Sequence, residues 1–241
     1  MMEKVMKRPK SANKSISSIV TEVIDNDLSI QDSLNRDYAN ISSIARLIQP
    51  QLENELNRSL NLDAIITAIK RSKTSYSINS PEILSIISNS AISLRTDVAK
   101  IVVAKSKTAI SRITKIIDLS KEDSFIHISG GSSVITIILD SKVANKIVTM
   151  FNSDEIIGSK EDLAVIMVQS PEEIIYTPGC AISFYNQVSR RHVNIEDTSS
   201  CHTDTIIVVN MNEVSSAFTA LSDLISISKN RLSTLKLSKK L

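Results

Sequence analysis

Glycine is nearly missing from this chain. Only Gly130, Gly131, Gly158 and Gly179 occur in 241 residues. A Walker-type phosphate loop needs two glycines bracketing four residues ahead of Lys and Ser/Thr, and a dinucleotide fingerprint needs three at fixed spacing. These four glycines assemble into neither, nor into the Gly-rich loop of a protein kinase. Nucleotide chemistry on those loops is excluded. Cysteine is as scarce: Cys180 and Cys201 are too few for a disulfide scaffold. Trp is absent and aromatics amount to 3%, so a base-stacking platform for RNA or single strands has little to build on. No apolar stretch nears the roughly 18 residues of a membrane span, and no apolar segment follows the basic start at residues 1–10. A reduced, cytoplasmic protein without a membrane partner is expected.

Charge is present in quantity but unevenly placed. Lys and Arg number 28 against 26 Asp and Glu, for a net of +2. Residues 1–14 carry five bases and one acid, and residues 229–241 carry Lys229, Arg231, Lys236, Lys239 and Lys240 with no acid. The remainder, residues 15–228, is therefore net −7. Much of that lies in residues 161–228, where Arg190 and Arg191 stand against nine carboxylates. Basic ends of this kind serve solubility or grip a polyanion.

Hydrophobic periodicity divides the chain. After a charged stretch, Ile16, Ile19, Val20, Val23 and Ile24 recur on one helical face. Leu28 to Leu34 continues in helix. Ile44, Ala45, Ile48, Leu52 and Leu56 form a further stripe, which Pro50 is expected to kink or end near Gln49. Asn61 can cap another helix with Asp63 in its first turn and Leu62, Ile65, Ile66 and Ile69 buried. Ser80-Pro81-Glu82 caps a short linking helix.

Beyond it the period changes. Val98–Ala104 reads as a buried strand, and Ala109 to Ile117 as a helix. Phe125–Ser129 and Val134–Leu139 read as strands joined by a hairpin at Gly130-Gly131-Ser132. A helix follows Ser141, burying Val143, Ile147, Val148 and Phe151, and Glu155–Ile157 is a short closing strand. The order β-α-β-β-α-β then recurs: strand Leu163–Val168, a helix from Thr177-Pro178, strands Asn194–Cys201 and Thr205–Val209, and a helix capped by Asn212 and ending near Ile225. Two consecutive ferredoxin-like units account for residues 92–228.

Two family resemblances follow from these residues. The run Asn40-Ile41-Ser42-Ser43-Ile44-Ala45-Arg46-Leu47-Ile48, with Asp63-Ala64-Ile65-Ile66-Thr67-Ala68-Ile69-Lys70-Arg71, resembles the helix-turn-helix unit of a group of archaeal regulator-like proteins. Ser72–Asn79 is too short for the strand pair of a wing. The run Thr177-Pro178-Gly179-Cys180-Ala181-Ile182-Ser183-Phe184, followed by Asn194-Ile195 and Ala217 to Leu221, resembles the ACT domain of the repeats behind aspartate kinases. Residues 92–158 are similar to a more degenerate partner repeat. The resemblance takes in the regulatory half of such enzymes and no kinase domain.

The fold expectation is α+β: a basic tail at 1–14, a helix-turn-helix-like domain at 15–75, a linker helix at 76–91, ACT-like domains at 92–160 and 161–228, and a basic tail at 229–241. The ACT resemblance implies an amino-acid or similar small effector, held near Gln169, Thr177, Pro178, Gly179, Cys180, Ala181, Asn194 and Ile195. It also implies a homodimer formed through the ACT domains. The helix-turn-helix resemblance implies double-stranded DNA as a partner, contacted by Arg46, Thr67, Lys70, Arg71 and Lys73. The alternative is a regulatory subunit that docks on an amino-acid biosynthetic enzyme without touching DNA.

Catalysis and metal binding are not expected. Cys180, His192, Cys201 and His202 are zinc's preferred donors, but they lack knuckle spacing, and adjacent Cys201 and His202 on a strand would face opposite ways. The same residues offer no oxyanion loop for a Cys/His nucleophile. Glu172-Glu173 and Glu196-Asp197 are adjacent pairs, not carboxylates separated across a bond. His127 is expected to be a satisfied, half-buried strand residue. No cofactor is expected.

Overall fold

The computed structural model describes residues 15–72, 80–119 and 124–238, in two compact units, Met1–Ile78 and Asn79–Leu241. The expected tail at 1–14, most of the short segment expected to lack a wing, and Lys73 lie outside the described residues.

In the first unit the helices are α1 (Ile16–Asp25), α2 (Leu28–Asn35), α3 (Ile41–Leu56) and α4 (Leu62–Arg71). Each begins at a side-chain cap. Ser15 accepts from the Ser18 amide, Asp27 from Ser29 and Ile30, Asn40 from Ser43 and Asn61 from Asp63. Such caps contribute about 1 kcal/mol apiece. Val20, Ala45, Leu52 and Ile65 are fully buried at the centre, and α4 packs against both α1 and α3. Pro50 does not end its helix. It lies exposed, opposite the buried face of Ala45, Ile48 and Leu52, so water can reach the carbonyl it leaves without a helical donor.

The second unit runs α5 (Pro81–Ser88), β1 (Ala91–Ala104), α6 (Lys107–Leu119), β2 (Ile126–Gly130), β3 (Val134–Asp140), α7 (Ser141–Val148), β4 (Ile156–Gln169), α8 (Cys180–Arg190), β5 (Asp197–Cys201), β6 (Asp204–Asn210) and α9 (Val214–Ser238). Its strands form one antiparallel sheet in the order β2-β3-β1-β4-β6-β5.

The two ferredoxin-like units are present but are not consecutive. β1 and β4 are each 14 residues long, and each serves both units. Of β1, only Val98–Ala104 pairs with β3, and of β4, only Leu163–Gln169 pairs with β6. The first half-sheet is therefore β2, β3, Val98–Ala104 and the start of β4. The second is β5, β6, Leu163–Gln169 and Ala91–Arg95, the start of β1. The segment that closes the second half-sheet, Ala91–Arg95, precedes every strand of the first half-sheet in sequence. Expected boundaries at 92–160 and 161–228 cut both shared strands.

Each shared strand bends at the same place. Asp97 and Asp162, the seventh residue of β1 and of β4, have φ of 56° and 55°, and the β1–β4 register shifts beside Asp97. Aspartate tolerates this left-handed conformation better than β-branched residues do. The bend folds the sheet over on itself. Lys100 on β1 donates to the backbone oxygen of Glu196, at the entry to β5, at 2.6 Å. In a flat sheet those strands would lie about 14 Å apart, three spacings of roughly 4.8 Å. Between the facing half-sheets lie Val98, Ile138, Leu163, Val165, Ile206 and Val208, all buried. Burial stabilises each such side chain by about 1.5–3 kcal/mol.

Helices cover the outward faces. Ala109 and Ile116 of α6, with Ala144 and Ile147 of α7, pack on Ala99, Ile101 and Val103. Phe184 of α8, Leu221 of α9 and Ile86 of α5 pack on Ala164, Ile166 and Val168. Along β1, Val98 turns inward and Ala99 outward, the alternation a strand requires.

Several boundaries differ from expectation. Ser141 is the first residue of α7, with Asp140 in the capping position. α8 begins at Cys180, three residues after Thr177, because a single 3₁₀ turn at Glu172–Ile175 takes up the connection first. β5 begins at Asp197, not Asn194. Asn212 falls within a 3₁₀ turn, Met211–Glu213, that leads into α9. α9 runs on to Ser238, so residues 229–238 of the expected tail are helical. Ser228, buried, and Leu232, partly buried, continue the stripe of Leu221 and Ile225 past the point where it was expected to stop.

Candidate functional site

The expected effector residues fall into two groups at opposite ends of α8. Gln169 ends β4 and is exposed. The connection that follows is fixed by two internal bonds: the Ser170 amide donates to the Thr203 carbonyl at 3.1 Å, and the Thr177 hydroxyl donates to the Glu173 carbonyl at 2.8 Å. Pro178 is exposed. Gly179 follows at φ 95°, a conformation that glycine adopts without strain, and stands at the N-cap of α8. No side chain caps this helix, so the N–H groups of its first turn have no intrahelical partner. The hydroxyl of buried Ser183 instead donates back to the Gly179 carbonyl at 2.8 Å, locking the turn. Gln169, Thr177, Pro178, Gly179, Cys180 and Ala181 therefore share one end of the sheet.

Cys180 contributes only its backbone there. Its side chain is fully buried in the core under α8, and burial pushes the thiol up to about 11. Asn194 and Ile195 do not join this group. They lie beyond the other end of α8, whose 11 residues span about 16 Å. Ile195 packs against the core and Asn194 donates to Glu196 at 2.9 Å.

That opposite end holds a polar cluster that the sequence pattern did not announce. Glu196 accepts from Lys160 at 2.8 Å, from Asn194, and from Asn210 at 3.0 Å. Lys100 lies 3.7 Å from the neighbouring Asp197 carboxylate. The other shared strand, β1, carries its counterpart. Arg95 is the fifth residue of β1 as Lys160 is of β4, and Asp140 pairs with Val98 as Asn210 pairs with Leu163. Arg95 grips Asp140 through two bonds of 2.6 and 2.7 Å, and the Phe125 amide donates to the same carboxylate. The cation position is kept in both shared strands, while the carboxylate moves from the end of β3 to the entry of β5. Only comparison of β1 with β4 could have shown this from sequence.

These contacts set the carboxylates' ionisation. The hydrogen bond from Lys160 holds Glu196 below the usual glutamate range, against the upward push of burial. At Asp140, burial pushes upward most, but the bonds from Arg95 and Phe125 together outweigh it. Glu155 is held down by the Asn152 amide and by its ion pair with Arg112.

The remaining sequence candidates are dispersed. Arg46 lies on α3, and Thr67, Lys70 and Arg71 on α4, all exposed in the first unit. That unit's residues 15–72 hold five bases against eight acids. Among the described residues no group of three or more His, Cys, Asp and Glu side chains could hold a metal ion. Cys201 is exposed, and His202 sits at φ 55° in the turn after β5, not on the strand. His127 is half-buried as expected, but its buried Nε2 has no hydrogen-bond partner. No described helix is long and apolar enough to cross a membrane.

No protein-family model and no curated protein matches the chain. Solved structures do. The aspartate kinase of Clostridium acetobutylicum aligns at 14% identity and a TM-score of 0.46, over 56% of this chain and 34% of that one. The chain thus spans about a third of that enzyme's length. The regulatory subunit of aspartate kinase from Thermus thermophilus aligns at 13% identity and 0.45, over 55% of this chain and 95% of its own. Aspartate kinase from Synechocystis aligns at 18% and 0.47, over 56% and 26%.

The lowered carboxylates predict an acid-labile second unit. A group held below its unfolded pKa stabilises the fold above that value, and the stabilisation is lost as pH falls through the folded pKa. Urea unfolding should therefore show stability falling as the pH drops below about 4.5. Glu196→Gln should make that decline shallower and leave the neutral-pH midpoint lower than wild type.

Proposed function

We propose that this chain is a non-catalytic regulatory protein whose second unit binds a small effector, an amino acid, at the loop leading into α8. The observation that carries this reading is the uncapped start of α8 behind Gly179. Every helix of the first unit, and α5, begins at a side chain that bonds a first-turn amide; α7 and α8 do not, and of these two only α8 opens on a glycine of positive φ. Its amides and the positive end of its dipole suit a carboxylate, and the Pro178-Gly179 backbone leads directly into them. The effector acts by differential affinity for two arrangements of the protein. Among the described residues, edge strands β2 and β5 each leave one side of a ladder unpaired, which supports a homodimer built by pairing second units. A partner enzyme of amino-acid biosynthesis would be served by the same surface.

The test is thermal unfolding of the full chain against each of the common amino acids. A true effector at a hundred times its Kd adds about 2.7 kcal/mol of stability. Ala181→Glu places a carboxylate in the first turn of α8, where the helix tolerates it and a bound carboxylate does not, and should weaken the effector at least about tenfold. The reading fails if no amino acid raises the midpoint, or if Ala181→Glu leaves the shift unchanged.

A second reading is DNA contact through the first unit, supported by the exposure of Arg46, Thr67, Lys70 and Arg71. It predicts duplex binding whose affinity drops steeply with salt, and whose anisotropy signal Lys70→Glu with Arg71→Glu abolishes without lowering the unfolding midpoint. Binding that this pair of changes leaves intact would remove α4 from the interface.

A further inference from the structure

We infer that the Thr205 hydroxyl is the group through which the effector acts on the second unit: it has no partner in the arrangement described above and gains one when an amino acid binds at the start of α8. This rests on the effector reading and supplies its regulatory step. Thr205 is the second residue of β6 and is completely buried, yet its Oγ1 has no hydrogen-bond partner. A buried hydroxyl left so has lost its hydration with nothing in return. Buried serines of the same unit show the contrast. Ser88, Ser90 and Ser183 donate to the carbonyls of Ser85, Ile86 and Gly179. With the Ser90 hydrogen spent there, Ser170 donates to the Ser90 Oγ at 2.9 Å.

Register puts the orphan beneath the first turn of α8. Thr205 stands opposite Val168 and shares a face of β6 with Ile207; Val168, Ile207 and Cys180 pack in one core. Thr198 pairs with Ile207, and its hydroxyl lies 2.8 Å from that of Tyr185, so Ile207 is level with Tyr185. Two strand residues back is about 7 Å, or about four to five residues of helix, which is Cys180–Ala181. The amides that suit a carboxylate and the unpaired hydroxyl thus belong to one spot. The cover gives way at the segment Pro171–Thr177. Among the described residues its hydrogen bonds run within itself: the Ile174 amide to Pro171, and the Tyr176 amide and Thr177 hydroxyl to Glu173. Lifting it breaks no hydrogen bond to the sheet. With the segment lifted, an acceptor oxygen of the bound amino acid takes the Thr205 hydrogen, so affinity is higher for that arrangement and its population rises.

The test is thermal unfolding of the full chain as wild type, Thr205→Val and Thr205→Ser, alone and titrated with each of the common amino acids. Thr205→Val keeps the side chain's shape without its hydroxyl. It should raise the midpoint of the chain alone, and weaken at least about fivefold the amino acid that stabilises wild type. Thr205→Ser keeps the hydroxyl and should hold that affinity within about twofold. A purely structural role moves the midpoint and leaves the affinity alone. The inference is overturned if Thr205→Val lowers the midpoint of the chain alone, if it binds as wild type does, or if Thr205→Ser loses as much affinity as Thr205→Val. Should no amino acid stabilise wild type, the effector reading falls and takes this inference with it. An amino acid that stabilises wild type and Thr205→Val equally removes this inference and leaves that reading standing.

Discussion

The second unit depends on one interaction, the antiparallel pairing of β1 with β4 along nearly their full length. Ala91–Arg95 against Val165–Gln169 closes one half-sheet, and Lys100–Val103 against Ile156–Lys160 closes the other. Because each strand belongs to both halves, neither half can complete its ladder without the other. Unpaired backbone groups in a buried sheet cost about as much as lost hydrogen bonds. The shared strands thus couple the two ferredoxin-like halves into one cooperative body. The facing surfaces, closed around Val98, Leu163 and Val165, add the apolar burial that holds the fold at the bend.

That geometry also places the chemistry. The left-handed aspartates, Asp97 and Asp162, turn the strands where the halves meet, and the cations two residues before them, Arg95 and Lys160, reach carboxylates of β3 and of the β5 entry. Charge is thereby concentrated at the bend. The loop into α8 follows the other end of β4, where its last residue, Gln169, pairs with Ala91 of β1 and Asp204 of β6. A ligand there would act on elements that the β1–β4 pairing ties to the rest of the unit. That is the physical basis on which binding could be transmitted, provided two arrangements exist for it to choose between.

Much of the local structure was legible in the sequence because it is set by near neighbours. Asn61 and Ser80 act as the caps their positions suggested, and the stripes Ile16–Ile24 and Ala217–Ile225 are the buried faces of α1 and α9, whereas of the expected α6 stripe Ala109 and Ile116 are buried and Ile110 and Ile117 exposed. The βαββαβ order was legible too. What escaped was set by partners distant in the chain. Residues 91–97, with Arg95 and Asp97, have no apolar alternation strong enough to read as a strand, and their role comes from β4, some seventy positions away. The same holds for Lys160–Asp162, which looks like a polar loop between Ile157 and Leu163 and is the middle of a continuous strand. Of the expected effector residues, the contiguous run from Thr177 to Ala181 stayed together with Gln169. Asn194 and Ile195 separated from it because the length of α8 intervenes.

The most direct test of this architecture is the folding of residues 161–241 on their own. Two consecutive units would let that fragment fold. With Ala91–Arg95 and the α5 residues Ile83, Ile86 and Ile87 taken away, it lacks both its fourth strand and part of its core. Interlocking therefore predicts no cooperative urea transition at 25 °C for the fragment alone, and recovery of one when a peptide of residues 80–97 is added. A sharp two-state transition of residues 161–241 without the peptide would contradict the account.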